Sequence, residues 1–477
     1  MKVTLKKRKV VIVGGGITGL TTAFYLQQKA KALDELIEII IIEASLRLGG
    51  KIHTVRKNGF IIERGPESFF DTGSNVRNLA RDLNIEHEII QNNNGRTFIA
   101  IGNELHPIPS NILLGGSPKI LSFMKSNVLS LSGKVRAAGD LFLPKLPHEA
   151  DEPISAFFRR RFGKEVVENL VEPVLAGTFA GDVDHLSINS MFPQFYQLEK
   201  EYRSLLIGMK KTGKGIYALS DTPGEIHYES FVNGLEALIE ALENALSEQI
   251  ILKGLKVDSI ENLQDNSLQI YLNDGSTIEA DKVIVTTPFN MTKKIFRDSE
   301  VMQQMPYMSY ATIATVTMSF KKGQMKNYTD ALNFFVSRNS DLAITTCTWS
   351  SHKFNNATPE DHDMLRVYIG RVGDESIVEL SDSEIEKIVL QDLEKAIGLK
   401  AKPIFTVVAR WKEAMPQYTI GHEVRLATMK KQFVQEYPHV MLAGSSYEGI
   451  SIPDCVKQGK EVADEVFNQL LNHKIVI

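Results

Sequence analysis

The strongest constraint on the fold is a βαβ pattern at the start of the chain, with a glycine-rich turn inside it. Lys9 to Val13 reads as a strand, Ile17 opens a helix, and Ile37 to Ile42 reads as a second strand. The turn between the first strand and the helix carries the motif Gly14-x-Gly16-x-x-Gly19. Continuously apolar strands of this kind are typical of parallel sheets covered on both faces. The sequence therefore predicts an α/β fold that begins with a Rossmann-like unit.

The position of the glycines in this unit predicts a dinucleotide site. Gly14 allows the tight turn, Gly16 lets the backbone approach a pyrophosphate, and Gly19 lets the helix pack closely on the strand. The helix N-terminus offers free N–H groups to phosphate oxygens. Glu43 ends the second strand, where a carboxylate can accept hydrogen bonds from ribose hydroxyls and disfavours a 2′-phosphate. The alternative is a structural glycine turn with a solvated glutamate, and nucleotide binding is favoured over it because all three features occur together.

Length, charge and cysteine content narrow the class of protein further. The 477 residues suggest about three domain-sized units. A net charge of −4 shows no basic face for nucleic acid. Cys347 and Cys455 are far apart and form no disulfide framework or metal motif, so no metal is expected. No apolar run is long enough for a transmembrane helix or an export signal, and we expect a cytoplasmic protein.

The rest of the chain alternates between helical and strand patterns. Residues 111–145 are apolar but interspersed with lysine and arginine, which fits a helical core or a peripheral membrane contact. Asn273-Asp274-Gly275 is a hairpin signal. The other predicted elements are a helix over Glu152 to Leu175, hairpin strands at Leu268 to Leu272 and Thr277 to Ala280, a strand at Lys282 to Thr286, an antiparallel sheet including Tyr310 to Phe320 and Leu332 to Ser337, a buried strand at Val440 to Ala443, and a terminal helix over Asp454 to Asn472.

Several longer stretches carry a family resemblance. The sequence Arg47-Leu48-Gly49-Gly50 follows the ribose glutamate, and Ile61 to Ser68 and Leu442 to Cys455 form two further blocks. Four stretches between them agree: Phe158 to Gly163, Glu168 to Pro173, Gly177 to Asp182 and Phe192 to Gln194. Together they resemble the FAD-containing amine oxidase and protoporphyrinogen oxidase superfamily, and within it the bacterial porphyrinogen oxidases, most closely the Gram-positive coproporphyrinogen III oxidase type.

The resemblance implies a set of FAD-binding residues. Val257, which is expected late in a strand of the middle segment, matches the residue whose backbone meets adenine. Trp411 matches a position near the isoalloxazine, although a plain core tryptophan is the alternative. Cys455 lies past the turn of the closing motif, so the FAD is expected to be non-covalent. The expected cofactor-binding residues are Gly14, Gly15, Gly16, Ile17, Thr18, Gly19, Glu43, Ala44, Arg47, Gly50, Lys51, Gly65, Pro66, Glu67, Ser68, Val257, Trp411, Ile450, Ser451 and Ile452.

The resemblance also implies a reaction: six-electron oxidation of a porphyrinogen in haem biosynthesis, with oxygen as acceptor and hydrogen peroxide as product. Flavin chemistry of this kind needs no general base, and no catalytic side chain is assigned. The segment Phe69 to Ser74 lacks the basic residue expected near the substrate, which leaves carboxylate recognition open. Candidate basic residues for the propionates of the tetrapyrrole substrate are Arg96, Arg203, Lys210 and Lys211.

The predicted architecture has three parts, and the function retains alternatives. The FAD-binding domain comprises residues 1–75, 225–295 and 405–477, the substrate-binding domain comprises 76–110, 195–224 and 296–404, and a helical segment spans 111–194. Alternatives are protoporphyrinogen IX oxidation, an amine oxidase or carotenoid desaturase on the same scaffold, and a non-enzymatic dinucleotide-fold binding protein. A transient contact with the next haem-pathway enzyme is left open.

Overall fold

The computed structural model describes residues 7–108, 127–145, 151–212, 227–265, 267–325 and 328–472. The strands are β1 Arg8–Val13, β2 Ile37–Glu43, β3 Thr54–Lys57, β4 Phe60–Glu63, β5 Ile89–Gln91, β6 Arg96–Ile101, β7 Glu104–Ile108, β8 Glu229–Phe231, β9 Ile250–Lys253, β10 Val257–Asn262, β11 Leu268–Leu272, β12 Thr277–Ala280, β13 Lys282–Val285, β14 Tyr310–Lys321, β15 Ala331–Val336, β16 Ile344–Trp349, β17 His362–Ile369, β18 Phe405–Pro416 and β19 Val440–Leu442.

The helices alternate with these strands. They are α1 Ile17–Ala32, α2 Asn75–Asp82, α3 Leu131–Ala138, α4 Ile154–Phe162, α5 Lys164–Val166, α6 Glu172–Phe179, α7 Ile188–Met191, α8 Pro193–Tyr202, α9 Leu205–Thr212, α10 Glu236–Ala245, α11 Phe289–Ile295, α12 Glu300–Gln304, α13 Ser350–Lys353, α14 Asp382–Ile397, α15 His422–Glu436 and α16 Ile452–Asn472. A π-helix spans Val167–Val171, and short 3-10 turns lie at Glu86–Glu88, Gly139–Leu141 and Glu375–Glu379.

A five-stranded parallel sheet forms the first layer, and it confirms the predicted α/β fold class. Its strand order is β19-β13-β1-β2-β9, and every pairing is parallel. Alternate residues of β1 enter different cores: Val10 and Ile12 pack beneath α1 and α16, whereas Val11 and Val13 pack on the other face. This two-sided burial explains why the strands read as continuous apolar runs. Strands from the start, middle and end of the chain therefore meet in one sheet.

A three-stranded antiparallel sheet, β10-β11-β12, follows the parallel sheet, with the predicted hairpin at Gly275. The prediction that Val257 lies late in a strand is wrong, because Val257 is the first residue of β10. It is buried in the core that also holds Val13 and Ile42. The Gly254 N–H donates to the Ser45 carbonyl at 2.9 Å. The start of β10 is therefore held beside the end of β2.

A seven-stranded sheet forms the second large layer, in the order β18-β14-β17-β16-β15-β6-β7. The predicted antiparallel arrangement holds for every pair except β15 with β6, which is parallel. One face packs on α14, whose Ser381 and Glu384 form a reciprocal capping box. The opposite face carries the buried polar side chains Thr315, Thr317 and Arg366. A buried polar face of this kind needs partners from another layer.

The helical segment differs from its prediction at Gly163. A single helix over Glu152 to Leu175 is wrong: α4 ends at Phe162, and Gly163 adopts a φ of +93°. A Cβ at Gly163 would lie 2.5 Å from the Arg136 side chain, so both the turn and the close approach require glycine. The predictions for 111–126 and 146–150 lie outside the described residues. In the described ranges, no helix combines the length and the apolar character needed to cross a bilayer.

Candidate active site

The glycine turn after β1 leaves open space above the N-terminus of α1. Gly14 has a φ of +110°, which favours glycine, and a Cβ on Gly19 would lie 2.1 Å from the Gly14 carbonyl oxygen. A Cβ on Gly16 would meet nothing within 4 Å. Gly14 and Gly19 are therefore needed for the turn and for helix packing, whereas Gly16 borders free space that a ligand can fill.

A second glycine loop lies directly beside the first. The Gly49 N–H donates to the Gly15 carbonyl at 2.8 Å, which joins the two loops. Arg47 folds back on its own loop, and its guanidinium donates to the carbonyls of Leu48 at 3.0 Å, Ile52 at 2.9 Å and Gly50. Its side chain therefore shapes this loop through three backbone acceptors. Ala44 and Gly50 are exposed at the loop surface.

Glu43 organises the end of β2 through both carboxylate oxygens. Oε2 accepts from the Gly15 N–H at 2.7 Å, and Oε1 accepts from the Ser45 N–H and hydroxyl, each at 2.8 Å. The Leu255 N–H donates to the Glu43 carbonyl at 3.1 Å, which brings the segment before Val257 to the same place. A carboxylate, the glycine turn and the start of β10 thus converge where the sequence predicted ribose and adenine contacts.

Lys51 is a half-buried cation at the junction of the glycine loops and the C-terminal segment. Its Nζ donates to the Ser445 hydroxyl at 3.3 Å, and among the described residues no carboxylate lies within ion-pair distance. Burial lowers the pKa of Lys51. Two further hydrogen bonds hold the C-terminal segment at residues 444–445. The Tyr418 hydroxyl donates to the Ser445 carbonyl at 2.7 Å, and the Gly444 N–H donates to Gln458 Oε1 at 3.0 Å.

The start of α16 faces α1. A Cβ on Gly459 would lie 2.8 Å from the Thr18 carbonyl, so the two helices approach closely. Ser451 caps α16 by accepting from the Asp454 N–H at 3.2 Å, and Ile452 is its first residue. Ile450 and Ile452 are partly exposed at this end of the helix. The C-terminal motif therefore lies near the glycine turn.

Gly65 connects the nucleotide loops to the seven-stranded sheet. A Cβ there would lie 1.7 Å from the Lys51 carbonyl oxygen and 3.5 Å from Trp411 Cζ2. Trp411 Nε1 donates to the Arg64 carbonyl at 2.6 Å, and the Thr315 hydroxyl donates to the same oxygen at 3.0 Å. Trp411 is thus a hydrogen-bonded contact of this segment rather than an ordinary core tryptophan.

The next residues of the segment turn their side chains towards α13. Glu67 accepts from the Ser350 hydroxyl and from Lys353 Nζ at 3.2 Å, and the Ser68 hydroxyl accepts from Lys353 at 2.8 Å. Although burial alone would raise it, the pKa of Glu67 is lowered by Lys353 and Arg366. The Glu67 carboxylate is already paired with Lys353, so a contact between FAD and Glu67 would involve the Glu67 backbone. Pro66 is the residue between Gly65 and Glu67.

The sheet side chains that hold this segment were not predicted from the sequence. Arg366 Nη2 donates to the Gly65 carbonyl, and the Thr315 hydroxyl donates to the Arg64 carbonyl. Both residues lie on strands far from the motifs in sequence. The candidate propionate ligands do not gather here. Arg96 is exposed and pairs with Asp330 at 2.6 Å, and Arg203 donates to the Leu141 carbonyl. Lys211 lies over the Tyr202 ring, and Lys210 is its exposed neighbour on α9.

Two other arginines lie nearer this region. Arg338 Nε donates to Glu172 Oε1 at 2.5 Å, and Arg371 Nη1 lies 3.5 Å from the same oxygen. Arg371 follows the end of β17, and its neighbour Val372 packs in the small core that contains Trp411. These basic residues were not among the sequence candidates, because no motif marks them.

The loop geometry fits a dinucleotide. Free space lies at Gly16 and at the adjoining Gly50, whose Cβ would meet only the Gly16 Cα at 3.5 Å. This space and the positive charge of the half-buried Lys51 match the extended shape and negative charge of a pyrophosphate. The carboxylate of Glu43 matches a ribose diol. The fold and site together define a dinucleotide-binding protein.

Comparisons with known proteins identify the family. Residues 17–467 match the family model described as flavin containing amine oxidoreductase. Coproporphyrinogen III oxidase of Bacillus subtilis (strain 168) is 41% identical over 469 residues, which cover 98% of this chain and 99% of that protein. Coproporphyrinogen III oxidase of Staphylococcus aureus (strain NCTC 8325 / PS 47) is 36% identical over 469 residues, covering 97% of this chain and all of the relative, 100%.

A solved structure agrees with these sequence matches. The crystal structure of a protein from Exiguobacterium sp. 255-15, described as a protoporphyrinogen oxidase, superposes with a TM-score of 0.85 at 32% identity, covering 97% of this chain and 99% of that chain. This chain belongs to the flavin containing amine oxidoreductase family. The predicted FAD cofactor, the oxidoreductase class and the family resemblance are thereby confirmed.

Proposed function

We propose that this chain oxidises coproporphyrinogen III to coproporphyrin III in haem biosynthesis, with FAD as cofactor, molecular oxygen as electron acceptor and hydrogen peroxide as product. The observation that carries this proposal is the 41% identity to the Bacillus subtilis coproporphyrinogen III oxidase, since it extends over nearly the full length of both chains. Removal of six electrons requires three two-electron oxidations of the same substrate molecule.

The residues of the first sheet hold the cofactor's nucleotide in this proposal. The backbone of Gly14 to Gly19 and of Gly50 receives the pyrophosphate, and Lys51 balances its charge. Glu43 accepts hydrogen bonds from the ribose. The remaining contacts assigned to FAD are Ile17, Thr18, Ala44, Arg47, Gly65, Pro66, Glu67, Ser68, Val257, Trp411, Ile450, Ser451 and Ile452.

Bound FAD supplies the two-electron acceptor chemistry, taking a hydride equivalent from a substrate C–H and passing electrons to oxygen. The chain's own contribution is to position the substrate and exclude water. Ala180, Ala311 and Ile313 form a small apolar core against Tyr368 and Trp411, beside the Arg64 carbonyl that Trp411 holds. This apolar wall suits the largely apolar macrocycle of a tetrapyrrole.

Recognition of the substrate's carboxylates is assigned to Arg338 and Arg371. Coproporphyrinogen carries four propionates and protoporphyrinogen two, so cations beside the apolar wall favour the former. Glu172 holds both arginines in place and offsets part of their charge. This assignment replaces the four basic residues considered from the sequence, none of which lies beside Trp411.

The test is a substrate panel on the purified holoprotein, read as peroxide release and porphyrin fluorescence. Coproporphyrinogen III is expected to react faster than protoporphyrinogen IX, and an amine is expected not to react. Arg371→Met is expected to raise the KM for coproporphyrinogen about tenfold, equivalent to roughly 1.4 kcal/mol, whereas Arg96→Met is the matched control and leaves it unchanged. Faster turnover of protoporphyrinogen IX or of an amine would contradict the proposal.

Peripheral membrane contact is part of the proposal, supported by an apolar patch on the surface of the helical segment. Leu131 and Val135 lie one turn apart on α3 and are 76% and 65% exposed, and Phe142 is 82% exposed. Lys134 and Arg136 flank them. Co-sedimentation with anionic vesicles should weaken in Val135→Asn, which removes apolar surface without adding a charge. A transient contact with the next haem-pathway enzyme, which must receive the product, and a cytoplasmic location stay predictions.

The domain division is likewise proposed as 1–75, 225–295 and 405–477 for FAD, 76–110, 195–224 and 296–404 for substrate, and 111–194 as the helical segment. It is supported by the five-stranded sheet, which draws β1, β2, β9, β13 and β19 from the first three of these ranges. Strand β18 lies within the proposed FAD-binding range but pairs with β14 of the seven-stranded sheet, so Trp411 links the two units.

A further inference from the structure

The register of the seven-stranded sheet places Arg338 and Arg371 at one edge. β15 and β17 both run antiparallel to β16, so the residues that follow β15 and β17 emerge at the same end. Arg338 follows β15 by two residues, and Arg371 follows β17 by two. β14 begins at this edge with Tyr310, whose hydroxyl lies 2.8 Å from Ser446 Oγ of the C-terminal segment. From β14 to β15 the edge spans three strand spacings, about 14 Å.

Glu172 joins the two arginines from the helical segment. It is the first residue of α6, directly after the π-helix, and it is 4% exposed. Its Oε1 accepts from Arg338 Nε at 2.5 Å and lies 3.5 Å from Arg371 Nη1. The arginine side chains are more open, 44% exposed for Arg338 and 16% for Arg371. Glu172 is therefore the buried member of the cluster, and the arginine side chains are its solvent-accessible members.

The charges of this cluster do not balance, because one carboxylate serves two guanidinium groups. Asp182, a second carboxylate, acts on Glu172 from further away and is itself paired with His185 at 2.8 Å. Burial raises the pKa of Glu172, although both arginines act in the opposite direction, and burial lowers the pKa of Arg371. Charges held away from water interact more strongly than in bulk solvent. An incoming carboxylate is thus attracted by the arginines and repelled by Glu172.

We propose that Glu172 is a specificity-determining residue: it acts as a carboxylate built into the site and limits how strongly the arginine pair binds carboxylates. This inference rests on the proposed function, because it requires the pair to receive propionates. Oxidation of the macrocycle leaves the propionates unchanged, so the site binds them equally in substrate and product. Such uniform binding does not speed the chemical step, and it slows product release when it is strong. Glu172 weakens it enough for the product to leave.

The test is a fluorescence titration of the purified holoprotein with porphyrins of different charge. In Glu172→Gln the amide keeps the shape and an acceptor oxygen for Arg338 but loses the charge. Coproporphyrin III, with four carboxylates, should therefore bind about fivefold more tightly. Its tetramethyl ester, which has none, should bind as it does to the wild type. Glu168→Gln is the matched control and should change neither affinity, because it removes the same charge where the carboxylate pairs with Lys164 at 3.3 Å.

Unchanged or weaker binding of coproporphyrin III by Glu172→Gln, or an equal gain for the ester, would overturn the inference. The KM for coproporphyrinogen III should fall in the same variant, whereas a residue that only holds the arginines in place would raise it when replaced. If Glu172→Gln does not fold, the double variant Glu172→Gln/Arg338→Gln removes one charge of each sign. It should bind coproporphyrin III within about twofold of the wild type, and a larger loss would contradict the proposal.

The titration needs no turnover, so it separates this inference from the proposed function. A chain that binds coproporphyrin III but leaves coproporphyrinogen III unoxidised refutes the proposed function, and the result for Glu172→Gln still decides the charge effect. A wild-type chain that does not bind coproporphyrin III contradicts both.

Discussion

The two ends of the site are built in different ways. The nucleotide end is local: Gly14 to Gly19, Glu43 and Lys51 all lie within one short stretch, and they act through backbone groups and two charges. The sheet end is assembled from β14, β17 and β18, whose side chains converge on two consecutive carbonyls, those of Arg64 and Gly65. One end is specified by backbone shape and the other by side-chain hydrogen bonds.

This difference separates the residues that set the affinity for FAD from those that set the properties of the bound flavin. The loops at the nucleotide end leave space and charge for a ligand, so changes there should alter affinity for FAD. The sheet end fixes the position of the segment that joins the loops to the substrate wall, so changes there should alter the flavin's properties more than its affinity. Gly65 belongs to both, because it touches the Lys51 carbonyl and Trp411.

The largest effect is expected from Gly16→Val. Gly16 has a φ of −75° and a ψ of 176°, which valine adopts readily, and its Cβ would meet nothing. The apoprotein should therefore keep its Tm, while the side chain occupies the ligand's space and weakens FAD binding about 100-fold, roughly 2.8 kcal/mol. Fluorescence titration measures the affinity. Gly139→Ala, at a helical glycine with a φ of −57°, is the control that should change neither quantity.

Lys51→Met should affect stability and affinity in opposite directions. The folded pKa of Lys51 lies below its usual 10.5, so the unfolded chain binds more protons between those two values. Wild-type apoprotein should accordingly gain stability as pH rises through that window, and the variant should lack this gain and have a higher Tm at neutral pH. FAD affinity should fall about 30-fold, since charge-assisted hydrogen bonds contribute about 2 kcal/mol. A variant that is less stable as apoprotein would contradict this assignment.

Glu43→Gln should weaken FAD binding about tenfold, or roughly 1.4 kcal/mol. The amide keeps the shape and one acceptor for the Gly15 N–H, but it loses the charge that strengthens hydrogen bonds from ribose. Isothermal calorimetry with FAD and with FMN checks the origin of the loss, because only FAD carries the adenosine ribose. An equal loss of affinity for FAD and FMN would show that Glu43 does not act through the adenosine ribose.

The smallest effect on stability is expected from Trp411→Phe, which removes the Nε1–H bond to the Arg64 carbonyl at a cost of about 1 kcal/mol. FAD affinity should stay near the wild-type value, and the flavin absorbance spectrum should shift because the Arg64–Gly65 peptide moves. Thr315→Val removes the other donor to the same oxygen, so the two variants should be non-additive in denaturant unfolding. Strict additivity would show that the two donors act independently.

The sequence predicted the nucleotide end far better than the sheet end. The glycine spacing and Glu43 can be recognised in the sequence, because the turn and the end of β2 are each formed by residues that are close together along the chain. Arg366 and Gly65 are 301 residues apart, and Trp411 and Arg64 are 347 apart, so no local pattern links them. The break at Gly163 was also missed, since the glycine conformation there depends on the approach of Arg136 from another helix.

The most direct test of the account is reduction of the bound FAD by coproporphyrinogen III without oxygen. When the substrate is mixed with the holoprotein in an anaerobic stopped-flow instrument, the flavin absorbance near its oxidised maximum should bleach within one turnover, and admitting oxygen should restore it with release of peroxide. If the flavin stayed oxidised while coproporphyrin formed only after oxygen entered, the substrate would be oxidised without the cofactor and the central claim would be wrong.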